Sequence, residues 1–212
     1  PLKQISGDNE EGVMAERPSE TDASKLQNLL GSVPDRHHAA ARSSQVTSIN
    51  GRQPPPLHLW NPDYCGDIDM AIGGDGTWYH EGMPIKRAEL WQLFAGILRR
   101  EDDGDYFLVT PAEKMKIEVE EAPFIAIDLD VRGAGAAKQL LFSTNVGDYV
   151  VADQDHPIVM RDGRPFLQIR DGLEARIQRS VFYRLVEEGE QQADDLLVYS
   201  NGCGFNLGSG IA

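Results

Sequence analysis

From Leu57 onward, apolar residues recur at strand and helix periods. Ile68, Met70 and Ile72 alternate with polar neighbours, which predicts a strand. Asp75-Gly76 is a hairpin signal, and Thr77 to His80 reads as the returning strand. Leu90, Leu93, Phe94, Ile97 and Leu98 mark one face of a helix from about Arg87 to Arg100, with Gly96 inside it. Tyr106 to Val109 and Met115 to Val119 predict two strands around a turn at Pro111 to Glu113. A second round begins with a strand over Phe124 to Leu129. Gln139 to Ser143 and Asp148 to Ala152 follow, then His156 to Met160 and Pro165 to Arg170. Leu173, Ile177, Val181 and Leu185 recur every four residues and predict a helix over Gly172 to Glu188. A hairpin about Asn201-Gly202 closes the chain.

The two rounds share an order of strands, helix and hairpin, which predicts an α+β fold with an internal duplication. Phe107 through Val119 lines up without gaps against Leu196 through Gly208. The expected domains are 57–121 and 122–212. Residues 1–56 are polar and poor in aromatics, and are expected to be mostly disordered. Leu26, Leu29 and Leu30 nevertheless have helical spacing, so a short docking helix is expected over 22–31, capped by Asp22. Pro54-Pro55-Pro56 is a stiff lead-in, Met14 is a candidate natural start, and His37-His38 reads as a solvated loop.

Charge narrows the function. The chain carries a net charge of −14, almost all of it after the tail. That disfavours long DNA or RNA as a partner, while a small anion in a local basic pocket stays open. No apolar run is long enough to span a bilayer. Two cysteines, Cys65 and Cys203, fit reduced thiols in a cytoplasm.

Chemistry-bearing motifs are sparse. Gly73-Gly74-Asp75-Gly76-Thr77 matches a signature of the NAD kinase and diacylglycerol kinase superfamily, but a β-like segment follows it rather than a helix. The hairpin-turn reading is therefore preferred to a phosphate loop. Gly133-Ala134-Gly135 lacks a full dinucleotide fingerprint and reads as a hairpin tip. Cys65 with His80 or His156 has no spacing that demands a thiolate pair. Asp67 and Asp69 share a strand face, and either hold a metal, act as acid and base, or line a solvated edge. Lys114 and Lys116 share the face opposite Met115 and Ile117. Arg176, Arg179 and Tyr183 fall on one stripe of the expected second helix. Facing one cleft, these basic groups would take phosphate, with Trp60, Tyr64 or Trp78 stacking on a base. The alternative is that both basic groups are salt-bridged to an acidic surface.

Leu57 to Leu207 resembles a bacterial family, the domain-of-unknown-function family numbered 1285. The resemblance rests on Trp60-Asn61-Pro62, Cys65-Gly66-Asp67-Ile68-Asp69-Met70, Asp75-Gly76-Thr77-Trp78 and Leu108-Val109-Thr110-Pro111. It continues through Thr144-Asn145-Val146, His156-Pro157 and Arg170 to Arg176. It implies a duplicated α+β core whose C-terminal part is superficially like a pleckstrin-homology fold. It also implies a nucleotide-like ligand between the domains and a part in signal transduction. From the polar and aromatic residue types in the two rounds, the expected ligand residues are Trp60, Asp67, Asp69, Lys114, Asn145, Arg179 and Tyr183. The cofactor is unknown. A metal-dependent phosphoester hydrolase using Asp67 and Asp69, and a protein-interaction module, are the other two classes.

Overall fold

Alternation of apolar residues sets the sheets. The computed structural model describes residues 20–32, 47–48 and 55–209. In chain order the elements are α1 (Glu20–Ser32), β1 (Thr47–Ser48), β2 (Tyr64–Ile72), β3 (Trp78–His80), β4 (Met83–Pro84) and α2 (Ala88–Gly96). Next come β5 (Leu98–Arg100), β6 (Tyr106–Val109), β7 (Lys114–Val119), β8 (Phe124–Arg132), β9 (Gln139–Thr144) and β10 (Asp148–Val151). The chain ends with β11 (Ile158–Arg161), β12 (Arg164–Arg170), β13 (Leu173–Ile177), α3 (Arg179–Glu187), β14 (Glu190–Gln192), β15 (Asp195–Ser200) and β16 (Cys203–Ser209). The fold is mixed α+β, mostly sheet.

Six strands form one sheet in the order β4-β3-β2-β7-β6-β5. Seven form a second, β1-β10-β9-β8-β13-β12-β11, and β14-β15-β16 form a third. In the first sheet β2 and β7 pair in parallel, and in the second β8 and β13 do so. All other pairings are antiparallel. The sequence alignment of Phe107–Val119 with Leu196–Gly208 does not follow this order. The former makes β6 and β7 of the six-stranded sheet, the latter β15 and β16 of the three-stranded one.

Two expected helices are shorter than their apolar spacing implied. Gly96 ends α2, Ile97 donates its N–H to Phe94, and the chain then turns into β5. Over 172–188 the four-residue repeat divides between two elements. Leu173, Ala175 and Ile177 are buried at period two in β13, and Val181 and Leu185 are buried in α3. A spacing of four satisfies both periods, and Gln178, with ψ 145°, is the break. Arg176 therefore lies on a strand and shares no helical stripe with Arg179.

The expected 22–31 helix is α1. Asp22 sits inside its first turn and pairs with Lys25 at 3.5 Å, so it is not the cap. Leu29 is fully buried in the core, and Lys25 Nζ donates to the Asp67 carbonyl at 2.6 Å. β1 adds to the edge of β10. Met14, His37-His38 and the rest of the polar tail lie outside the described residues.

One hydrophobic core runs through both sheets, from Trp78 and Phe94 to Phe124, Phe142 and Leu185. The Trp78 and Phe94 rings stack with centroids 6.1 Å apart. Where the sheets meet, the Gly73–Thr77 hairpin docks on the C-terminal half. It is a hairpin turn, closed by Gly73 N–H to Thr77 O at 2.9 Å and by Asp75 accepting from the Thr77 amide and hydroxyl. Gly76 has φ +81°, and a Cβ there would lie 2.8 Å from Asn145 Nδ2 and from Ile125 Cγ1. Gly76→Ala is expected to lower unfolding free energy by about 2 kcal/mol or more, through backbone strain and the displaced neighbours. Denaturant melting checks this, and an unchanged midpoint would show that the hairpin is not tightly seated.

Candidate functional site

The six-stranded sheet has an apolar inner face and a polar outer one. On β2, Ile68, Met70 and Ile72 face inward and are buried, which leaves Asp67, Asp69 and Ala71 outward. On β7, Met115 and Ile117 are buried, and Lys114, Lys116 and Glu118 point the other way. Three of the expected ligand residues, Asp67, Asp69 and Lys114, thus share this outer face.

Its charges are largely answered from within. Tyr64 donates its hydroxyl to Asp67, and that bond is the first reason its own pKa is raised. Lys116 binds the Asp105 carboxylate, which raises the Lys116 pKa. Lys114 reaches Glu101 at 3.1 Å and lies over the Phe107 ring, 5.0 Å from its centroid. Arg99 bonds Glu101 at 2.5 Å and the Trp60 carbonyl at 2.8 Å. The Trp60 side chain is half-buried and packs against the core.

Beside these pairs lies a cleft of about 1030 Å³. Gly73, Gly74 and Asp75 form one end of it, and Tyr79 and Tyr106 supply aromatic walls. Four carboxylates line it, Asp75, Asp105, Glu118 and Glu120, against the one ammonium of Lys116. Bonds from Thr77 hold the Asp75 carboxyl below its ordinary value. Glu120 accepts the Gly74 N–H at 2.6 Å. A second cleft, about 600 Å³, lies between the Gly133–Lys138 hairpin tip and Tyr199–Ser200.

The other expected residues lie elsewhere. Asn145 is at the junction of the two halves, where its Oδ1 accepts the Ile125 N–H at 2.9 Å. Arg179 and Tyr183 are exposed on α3, bonded to each other at 2.7 Å, and α3 packs on β8 and β15. Asp67, Asp69 and Lys114 thus share the outer face, Asn145 lies at the junction, and Arg179 and Tyr183 lie on α3. The junction itself is spanned by arginines. Arg170 bonds Asp148 at 2.6 Å and the Ala95 carbonyl at 2.8 Å, and lies over the Phe124 ring. Arg176 donates to the Gly74 carbonyl at 2.9 Å. Sequence reasoning did not single out Arg170, Glu120 or Tyr79. The polar face next to a Gly-Gly turn was the available signal for the last two.

Among the described residues, no three His, Cys, Asp or Glu side chains are placed to hold a metal ion. Both cysteines are free thiols, Cys65 exposed and Cys203 half-buried. Among the described residues no helix is long and apolar enough to cross a membrane.

The architecture defines a two-part α+β protein with an acidic cleft on the polar face of its N-terminal sheet. The chain belongs to the DUF1285 family. Residues 55–122 match the "Domain of unknown function (DUF1285), N-terminal domain" model and residues 123–207 the "Protein of unknown function (DUF1285), C-terminal domain" model. A DUF1285 family protein from Silicibacter pomeroyi DSS-3, solved by crystallography, is 43% identical with a TM-score of 0.70. The match covers 74% of this chain and 88% of that one. A second, from Shewanella baltica OS155, is 29% identical with a TM-score of 0.48, covering 57% of this chain and 91% of that one. No curated protein matches the chain.

Glu101 gives a pH test of the outer face. Burial pushes its carboxyl up, and Lys114 and Arg99 together outweigh that and hold it below its ordinary 4.5. A depressed folded pKa contributes stability that is present above the ordinary value and is lost as pH falls through the folded one. Glu101→Gln should therefore flatten the fall in melting temperature between about pH 5 and about pH 3. Parallel curves for the variant and the wild type would show that the pair contributes nothing there.

Proposed function

We propose that this chain is a binding module whose ligand is positively charged and sits in the acidic cleft on the N-terminal sheet. The observation that carries this is the lining of that cleft, four carboxylates around two tyrosines with one lysine that is itself paired. Clefts lined by one sign of charge concentrate ligands of the other sign, and tyrosine faces attract cations. A lysine- or arginine-bearing segment of a protein partner has that chemistry, so the protein-interaction class leads. The hydrolase class gains no support, because Asp67 is engaged by Tyr64 and, among the described residues, no group of three His, Cys, Asp or Glu side chains is placed to hold a metal.

A nucleotide-like ligand between the halves is the second reading. It is favoured by the exposed Arg179–Tyr183 pair, a guanidinium and a phenol bonded only to each other among the described residues. An internal duplication belongs to the same proposal and is supported by the strand orders. In each half a three-strand meander leads from the first strand of the central parallel pair, and a second meander ends on its other strand. The likeness to a pleckstrin-homology fold, the signalling role and the cytoplasmic setting rest on the resemblance and on thiol usage alone.

Calorimetric titration with a tri-lysine peptide at low salt tests the first reading. Glu118 is exposed and lines the cleft, so Glu118→Lys should weaken binding about tenfold or more, and added salt should weaken the wild type. Equal affinity in the two proteins would remove the cleft as the site. For the second reading, Arg179→Glu should abolish binding of ATP with an unchanged melting temperature. ATP bound equally well by that variant removes Arg179 from any nucleotide site.

A further inference from the structure

The Gly-Gly turn has two jobs that meet in one residue, Gly74. Gly74 donates its N–H to Glu120 at 2.6 Å, inside the cleft, and its carbonyl accepts from Arg176 of the C-terminal half at 2.9 Å. The next residue after Glu120 closes the circuit. Glu121 pairs with Arg164 and, at 3.0 Å, with Arg176 Nε, which is close enough for an ion pair but not aligned for a hydrogen bond. Hairpin, linker and C-terminal half are thus tied in one ring, Gly74–Glu120–Glu121–Arg176.

We infer that this ring couples the cleft to the docking of the two halves, so that a cation taken by Glu120 loosens the seat of the hairpin on the C-terminal half. This rests on the cleft reading above. The chemistry is competition. A cation that claims the Glu120 carboxylate leaves the Gly74 N–H without its charge-assisted partner, and such bonds are about twice as strong as neutral ones. The freed turn then holds Arg176 less firmly. Gly76 approaches Asn145 and Ile125 so closely that a Cβ there would meet both, so a shift of the turn is felt at that seat. Linkage makes the effect reciprocal, so loosening the ring from the far side frees Glu120 and tightens the cation.

Arg176→Lys is the test, because it keeps the charge, removes the guanidinium fork and lies outside the cleft lining. Hydrogen exchange is read on the full chain without ligand, and tri-lysine affinity is read by calorimetry. The expected result is faster exchange at 73–79 and at 116–120, together with tri-lysine affinity raised about fivefold. In the wild type, tri-lysine should speed exchange at 124–126 and 144–146. Wild-type rates at 116–120 in the variant, or an unchanged affinity, would overturn the coupling. Should the wild type bind no tri-lysine, the cleft reading fails, and the ligand-free exchange at 116–120 alone decides the coupling. Asn145→Ala loosens the same seat through a different contact. It should give the same pattern where Arg176→Lys does not fold, and its leaving 116–120 unchanged would overturn the proposal equally.

Discussion

The structure depends on how closely one hairpin approaches its neighbour. Gly76 reaches Asn145 and Ile125 at a distance that admits no side chain, and only a positive φ turns the chain there. The approach brings the Gly74 carbonyl to Arg176 and the β2–β3 turn over the linker at Glu120–Glu121. Each half contributes to a single core. The Gly-Gly-Asp-Gly-Thr run thereby acquires a structural meaning that its likeness to a kinase signature does not supply.

The same docking leaves the outer face of the six-stranded sheet with polar groups that must find partners on that face. Most do so locally. Lys114 and Arg99 share Glu101, Lys116 takes Asp105, and Tyr64 takes Asp67. What remains is an excess of carboxylate toward the Gly73–Asp75 end, where Glu118 and Asp75 stand beside Tyr79 and Tyr106. In the proposed function it is this excess of carboxylate, rather than the lysines that the sequence offers first, that would set the sign of the ligand.

Much of the sheet content was legible, because strand burial imposes period two and Ile68, Met70 and Ile72 display it openly. Helix α1 was legible from three leucines. Helix ends were not. Leu173, Ile177, Val181 and Leu185 obey a spacing that strand and helix both accept, and only the extended Gln178 separates them. The site was harder for a different reason. The types and faces of Lys114, Asp67 and Asp69 follow from alternation, but which carboxylate folds against which lysine depends on cross-strand register. Glu101 reaches Lys114 only because β5, β6 and β7 form a meander with that register. Arg176 was grouped with Arg179 and Tyr183 on the expectation of one long second helix, and the break at Gln178 takes that stripe apart.

In the proposed function the acidic cleft is the binding surface and its ligand is a cation. Backbone amide chemical shifts of the labelled protein, followed through titration with tri-lysine and separately with ATP, test this most directly. The account predicts that tri-lysine moves the amides of Ala71, Gly74, Tyr79 and Glu118, and that ATP leaves them in place. Shifts confined to α3 around Arg179 and Tyr183, or an ATP response in the cleft with none to tri-lysine, would contradict it.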